Sequence, residues 1–300
     1  MSGPHQPRLA RIQANGVSLA YAEWHADRRG AEPTLLFVHA TGFHSRVWDQ
    51  LISHLPARHI IAIDQRGHGR SETTEITGWP VFGRDLAAFV AALDLSGLVG
   101  VGHSMGAHAL VQAAAFEAGR FERLALIDPV IASPAAYHLA PPVAPGQMHP
   151  AAKRQGRFES PQAMIERFAQ RPPYTIFDPA ALRDYCEHGL TPAPDGDGCV
   201  LACSPLTEAS VYMTGRANAG VYASVRALEI PVLIVRAKLP PADRSVFDYS
   251  SSPTWPGLVG EFRRAREVHL PERTHFLPME CPAEVAALLR EAMALPAGTP

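Results

Sequence analysis

Five consecutive residues, Gly102-His103-Ser104-Met105-Gly106, combine a hydroxyl nucleophile with the two small residues that a sharp turn around it demands. They follow the apolar run Leu98-Val99-Gly100-Val101 and precede Ala107-His108-Ala109-Leu110-Val111, a helix-compatible stretch. A serine with glycine two residues before and two after, where a strand runs into a helix, is the nucleophile-elbow pattern. The turn forces the serine into a strained backbone conformation, and a Cβ at either glycine position would collide with the neighbouring strand or helix. The helix that follows turns its first N–H groups toward the site, where they steady an oxyanion. A serine hydroxyl is a weak nucleophile near neutral pH, so the chemistry also needs a base within reach and a carboxylate to orient that base. A glycine-rich loop yields G-x-S-x-G by chance too, so the surrounding elements carry the decision.

Those elements read as an α/β fold. Residues 11–24 alternate around Asn15-Gly16, a two-residue hairpin signal that predicts the first two strands. Residues 34–39 and 59–63 are short apolar runs followed by polar, glycine-bearing sequence, as buried parallel strands are. Trp48, Leu51, Ile52 and Leu55 fall at helical spacing between them, and Phe82, Leu86, Phe89, Val90 and Leu93 do so before the elbow strand. Residues 123–127, 232–235 and 268–270 predict further strands, and Val285, Leu288 and Leu289 mark a closing helix. An opening hairpin followed by alternating strands and helices implies a mostly parallel central sheet flanked by helices.

The regularity breaks over residues 133–221, where Pro134, Pro141, Pro142, Pro145 and Pro150 begin a proline-rich run. Residues 162–169 and 179–188 are helix candidates there, the second with proline in its first turn. Roughly 90 residues between two core strands exceed any plain loop, which predicts an inserted, mainly helical cap. The expected division is therefore a core of residues 1–132 and 222–300 and a cap of residues 133–221. Phe158, Phe168, Tyr174, Phe177, Tyr212 and Met213 make the insert more apolar than a solvated excursion needs; they either face a substrate or hold the insert together.

With 300 residues and 47% hydrophobic content, the chain can build a full core. A formal charge of −2 gives it no pull toward nucleic acid or anionic membrane. Residues 1–11 are polar without an apolar signal region, and no apolar run approaches the ~20 residues that span a bilayer, so a cytoplasmic location is expected. Cys199 and Cys203 form C-x-x-x-C, but no His/Cys pair follows at zinc-like spacing and no H-E-x-x-H occurs; free thiols and no metal are expected. Nothing in the chain indicates its oligomeric state.

Four segments then occur in one order: Val38-His39-Ala40-Thr41-Gly42, Asp64-Gln65-Arg66-Gly67-His68-Gly69-Arg70-Ser71, the Gly102–Gly106 elbow, and Thr274-His275-Phe276 with Glu280-Cys281-Pro282 behind it. In them the chain resembles the α/β-hydrolase fold family, specifically its capped serine hydrolases. The resemblance makes Ser104 the nucleophile and His275 the base, an imidazole whose ordinary pKa of ~6.5 suits proton exchange near neutrality. It draws the oxyanion hole from the N–H groups of Thr41 and Met105; the Thr41 hydroxyl offers either a third donor or a turn contact. His39 is expected to brace that loop and His103 to pack behind the site.

The acid departs from the usual pattern. The loop after residues 231–235, where most relatives carry it, reads Arg236-Ala237-Lys238-Leu239-Pro240-Pro241-Ala242-Asp243. Asp128, at the end of the preceding strand, is the first choice and Asp243 the alternative, with Asp248 or no acid behind them; Asp128-Pro129 also suits a plain capping role. The resemblance implies hydrolysis of a small apolar carboxylic ester or lactone through an acyl-enzyme, without cofactor. Serine at 104 argues against the aspartate-dependent epoxide hydrolases and dehalogenases. Carbon–carbon bond hydrolases and cofactor-free perhydrolases share the same triad and stay open. So does a different class, a ligand-binding receptor on a hydrolase scaffold, which the irregular acid motivates.

Overall fold

Asn15 and Gly16 both adopt positive φ, 49° and 72°, the geometry that folds β1 (Arg8–Ala14) back onto β2 (Val17–Trp24). The computed structural model describes residues 6–139, 147–215, 217–241 and 250–294. After the hairpin come β3 (Thr34–Val38), α1 (Asp49–Ser53), β4 (Ile60–Ile63), α2 (Pro80–Ala92), β5 (Leu98–His103), α3 (Met105–Phe116) and β6 (Phe121–Ile127). The stretch that follows holds β7 (Arg157–Phe158), α4 (Pro161–Phe168), α5 (Pro179–His188), β8 (Leu190–Pro192), β9 (Cys199–Leu201) and α6 (Pro205–Thr214). The chain then forms α7 (Val221–Ala227), β10 (Val232–Arg236), β11 (Ala265–His269), α8 (Leu277–Glu280) and α9 (Pro282–Ala294).

Eight strands form one sheet in the order β1-β2-β4-β3-β5-β6-β10-β11. The pairs β1/β2 and β2/β4 are antiparallel; every pair from β4 to β11 is parallel. Alternate side chains of each strand enter opposite layers. Leu35, Phe37, Val99, Val101, Leu233 and Val235 pack with Trp48, Leu51, Val285 and Leu289 on one face. Leu36, Val38, Leu124, Leu126, Val232 and Ile234 pack with Phe89, Val90, Leu110, Val111 and Val225 on the other. A parallel sheet gathers its carboxyl ends along one edge, and ligand sites of open α/β sheets lie there. Here that edge carries the loops after β3, β5, β6, β10 and β11.

Two features add to what the sequence predicts. β7, β9 and β8 make a separate three-stranded antiparallel sheet within the insert, so this part is not helical throughout. Strands of two or three residues are too short to show alternation. β11 begins three residues earlier than its apolar stretch, because an edge strand carries charges: Arg236 of β10 pairs with Glu267 of β11 at 2.7 Å. Among the described residues no helix is long and apolar enough to cross a membrane.

Candidate active site

Ser104 sits at φ 59°, ψ −119°, between the last residue of β5 and the first of α3. Its neighbours explain why both flanking positions are glycine. A Cβ on Gly102 would stand 2.6 Å from the Ala107 Cα, and one on Gly106 would run into the carbonyl oxygens of Val38 and His39. The strained turn is held from both sides: the Ser104 N–H donates to Ile127 O at 3.0 Å, and Ser104 O accepts the Val130 N–H at 3.2 Å.

One hydrogen-bonded line joins the three residues singled out in the sequence. His275 Nε2 lies 3.0 Å from Ser104 Oγ, and His275 Nδ1 lies 2.6 Å from Asp128 Oδ2. An ionised carboxylate only accepts, so Nδ1 carries the proton and Nε2 presents its lone pair to the serine O–H. Asp128, at φ 43°, is anchored by its own N–H to Val235 O at 2.7 Å. Its Oδ1 accepts from Ala237 N–H (3.0 Å), Ser252 Oγ (2.5 Å) and Thr254 Oγ1 (3.2 Å). Ser104, Asp128 and His275 are all buried. The alternative acids Asp243 and Asp248 lie outside the described residues.

Thr41 and Met105 flank this line. Among the described residues neither backbone N–H has an acceptor, and at Met105 the reason is its place at the start of a helix. The Thr41 hydroxyl donates to Met105 Sδ at 3.4 Å, which ties this loop to the start of α3. His39 braces the loop through both ring nitrogens: Nδ1–H donates to Ala40 O at 2.7 Å, and Nε2 accepts the Gln65 N–H at 3.0 Å. Burial lowers the His39 pKa to about 4, which keeps this neutral tautomer in place. His103 donates from Nε2–H to the His275 carbonyl at 2.8 Å; burial first, then the nearby His275, hold its pKa well below 6.5.

An aromatic wall adjoins the histidine. Phe276 follows His275 and packs on Phe43 and Phe177 at centroid distances of 6.3 and 5.4 Å, while Tyr185 meets Phe43 at 5.0 Å. Of the insert residues singled out, Phe177 reaches this wall directly. Tyr174 stacks on Phe168 at 4.1 Å behind it, and Tyr212 stacks on His149. Sequence reasoning did not find Arg154 and Glu208, which form an ion pair beside Gly42. Nor did it find Ser252 and Thr254, since nothing local ties them to Asp128. All four cysteines are free. Ligand atoms of Asp49, Asp184 and His188 lie within 4.8 Å of one another and could hold a cation, but Asp49 already accepts from Arg46 and Asp184 from Gln50.

Comparison with known proteins agrees with this architecture. Residues 35–288 match the family model described as the alpha/beta hydrolase family. The chain is 32% identical over 216 residues to 2-(acetamidomethylene)succinate hydrolase of Mesorhizobium japonicum, covering 70% of this chain and 72% of that protein. It is 33% identical over 124 residues to the non-heme chloroperoxidase of Streptomyces lividans, covering 39% and 43%. Among solved structures, that of E-2-(acetamidomethylene)succinate hydrolase superposes with a TM-score of 0.72 at 23% identity over 95% of this chain and 98% of the other. The enol-lactonase from Burkholderia xenovorans LB400 does so at 0.63 and 18% identity, over 95% and 100%.

Proposed function

Because the chain belongs to the alpha/beta hydrolase family, we propose that it is a serine hydrolase cleaving a carboxylic ester or lactone through Ser104, His275 and Asp128. The observation that carries this reading is the continuous line from Ser104 Oγ through the His275 ring to Asp128 Oδ2, at 3.0 and 2.6 Å. His275 Nε2 takes the serine proton as Oγ attacks the carbonyl, and the tetrahedral oxyanion rests on the Thr41 and Met105 amides. Asp128 stabilises the imidazolium and keeps its tautomer. The imidazolium returns the proton to the departing alcohol, and water, activated the same way, releases the acid from Ser104. Residues 133–221 act as the cap, and residues 1–132 and 222–300 as the core. The wall of Phe43, Phe177, Tyr185 and Phe276 supports an apolar substrate group beside His275.

A second reading keeps the same three residues but changes the bond. Likeness to 2-(acetamidomethylene)succinate hydrolase and to the N-formylmaleamate deformylase of Pseudomonas putida favours cleavage of a bond other than an ester, a class that extends to carbon–carbon hydrolysis. The likeness to a non-heme chloroperoxidase favours peroxide chemistry, the perhydrolase alternative. Labelling with a fluorophosphonate, compared between the natural protein and Ser104→Ala, tests the nucleophile: labelling confined to the natural protein is expected. Turnover of graded aryl esters and lactones is expected to exceed that of amides, β-diketones or peroxide with acetate. The reverse order would replace the ester reading, and tight ligand binding without labelling or turnover would replace the enzyme with a receptor.

A further inference from the structure

α6 lies across the loop that supplies the Thr41 amide. Ser204 caps the helix by accepting the Thr207 N–H, and Pro205 opens its first turn. Glu208 then meets the loop backbone: its Oε1 would stand 2.8 Å from a Cβ on Gly42, which has φ 79° and no side chain to keep it away. One turn further, Val211 packs in a buried cluster with Met105 and Trp79, and the Trp79 indole N–H donates to Val211 O at 2.8 Å. A single helix therefore meets the residue next to Thr41 and joins the buried cluster that holds Met105.

We propose that Glu208, held by Arg154, is a positioning residue that sets the Thr41 amide of the oxyanion hole through its contact with Gly42. The inference rests on the reading of Ser104 as nucleophile. A carboxylate taken out of water is costly unless its oxygens are well paired. Glu208 is 6% exposed and accepts from the Arg154 guanidinium and the Tyr212 hydroxyl. Burial still holds its carboxyl above the usual range, against the opposing pull of Arg154. The other end of Arg154 donates to the hydroxyls of Tyr174 and Tyr185 at 3.3 and 3.1 Å. Tyr185 in turn reaches the same loop, with its ring against Phe43 and its carbonyl accepting from His44 Nε2 at 3.0 Å. Gly42, Phe43 and His44 are thus gripped in succession by one network centred on the Arg154–Glu208 pair. Oxyanion donors act only when aimed at the position that the developing charge will occupy, so a loop displaced slightly loses turnover before it loses binding.

The test compares the natural protein with Glu208→Gln and with the double variant Glu208→Gln/Arg154→Met, which leaves no lone buried charge and so keeps the test valid if the single variant misfolds. Active sites are titrated with a fluorophosphonate, and kcat and KM are measured on p-nitrophenyl acetate per titrated site. Both variants are expected to lose about 10–10²-fold in kcat and in labelling rate with KM changed less than about threefold. Natural-like kcat per titrated site, or a loss confined to KM, overturns the positioning role even where thermal stability falls. Failure of the natural protein itself to label at Ser104 overturns the nucleophile and the inference together.

Discussion

At Asp128 four donors converge, and together they decide how a substitution there should behave. Ala237 N–H, Ser252 and Thr254 occupy Oδ1, leaving Oδ2 for His275. In Asp128→Asn one terminal group becomes a donor. It must face either three donors or the Nδ1–H of His275, and the second arrangement flips the imidazole to the wrong tautomer. On the proposed mechanism kcat should fall by ~10³–10⁴ while far-ultraviolet circular dichroism stays natural. Asp243→Asn, measured alongside, should turn over like the natural protein; the opposite pattern transfers the role of acid to Asp243. Ser104 and His275 were legible because each stands in a short motif whose spacing a turn or a loop dictates. Asp128 was legible only as the first of several choices, ahead of Asp243, Asp248 or no acid, since an aspartate before proline serves equally well as a cap. Ser252 and Thr254 were invisible: they reach Asp128 from more than 120 positions away, across a fold that no local pattern encodes.

Among the elements, the contact of α3 with β3 sets the tolerance of the elbow. Gly106 lies so close to the Val38 and His39 carbonyls that an added methyl has no room, and both obstacles are backbone rather than pliable side chain. Gly106→Ala should therefore push α3 outward, costing about 2 kcal/mol or more of stability in urea unfolding and tilting the Met105 amide away from the site. A variant as stable and active as the natural protein would mean that the helix and strand sit further apart than described. The central strands and their flanking helices could be read from sequence because burial on both faces demands unbroken apolar runs, as in Thr34–Val38 and Leu98–His103. β7, β8 and β9 could not, since pairing of two- and three-residue segments depends on what packs over them. The Arg154–Glu208 pair escaped for the same reason: 54 residues separate its members.

Across the whole molecule, neutral imidazoles buried in the fold link its stability to pH. Burial lowers His39 and His108 to about 4 and His68 to about 3, and it holds His44 and His103 well below their ordinary 6.5. Charging a buried imidazole costs desolvation at every one of these sites, and at His39 and His108 it also removes a ring acceptor; His108, for example, donates from Nδ1 to Val130 O and accepts from the Asn218 amide. A group with a depressed folded pKa binds its proton first in the unfolded chain. These contributions are therefore intact above pH 6.5 and shrink as pH falls toward 4, by about 1.4 kcal/mol per pH unit for each fully titrating imidazole. Asp184, raised by burial to about 6, works in the opposite direction, because the folded state takes up its proton first. Burial also raises Asp49, Asp64 and Glu208, which oppose the trend as they too protonate in the fold. Near the upper end of the window the histidines outweigh them, since unfolded imidazoles begin to charge at 6.5. The urea midpoint should thus be flat from pH 8 to 7 and fall steeply between pH 6.5 and 5.5, and His108→Gln should soften that fall by roughly one proton. A midpoint that holds or rises through this window would mean that the folded protein takes up at least as many protons as the unfolded chain, so that either the raised carboxyls outweigh the buried imidazoles or burial does not hold those imidazoles neutral.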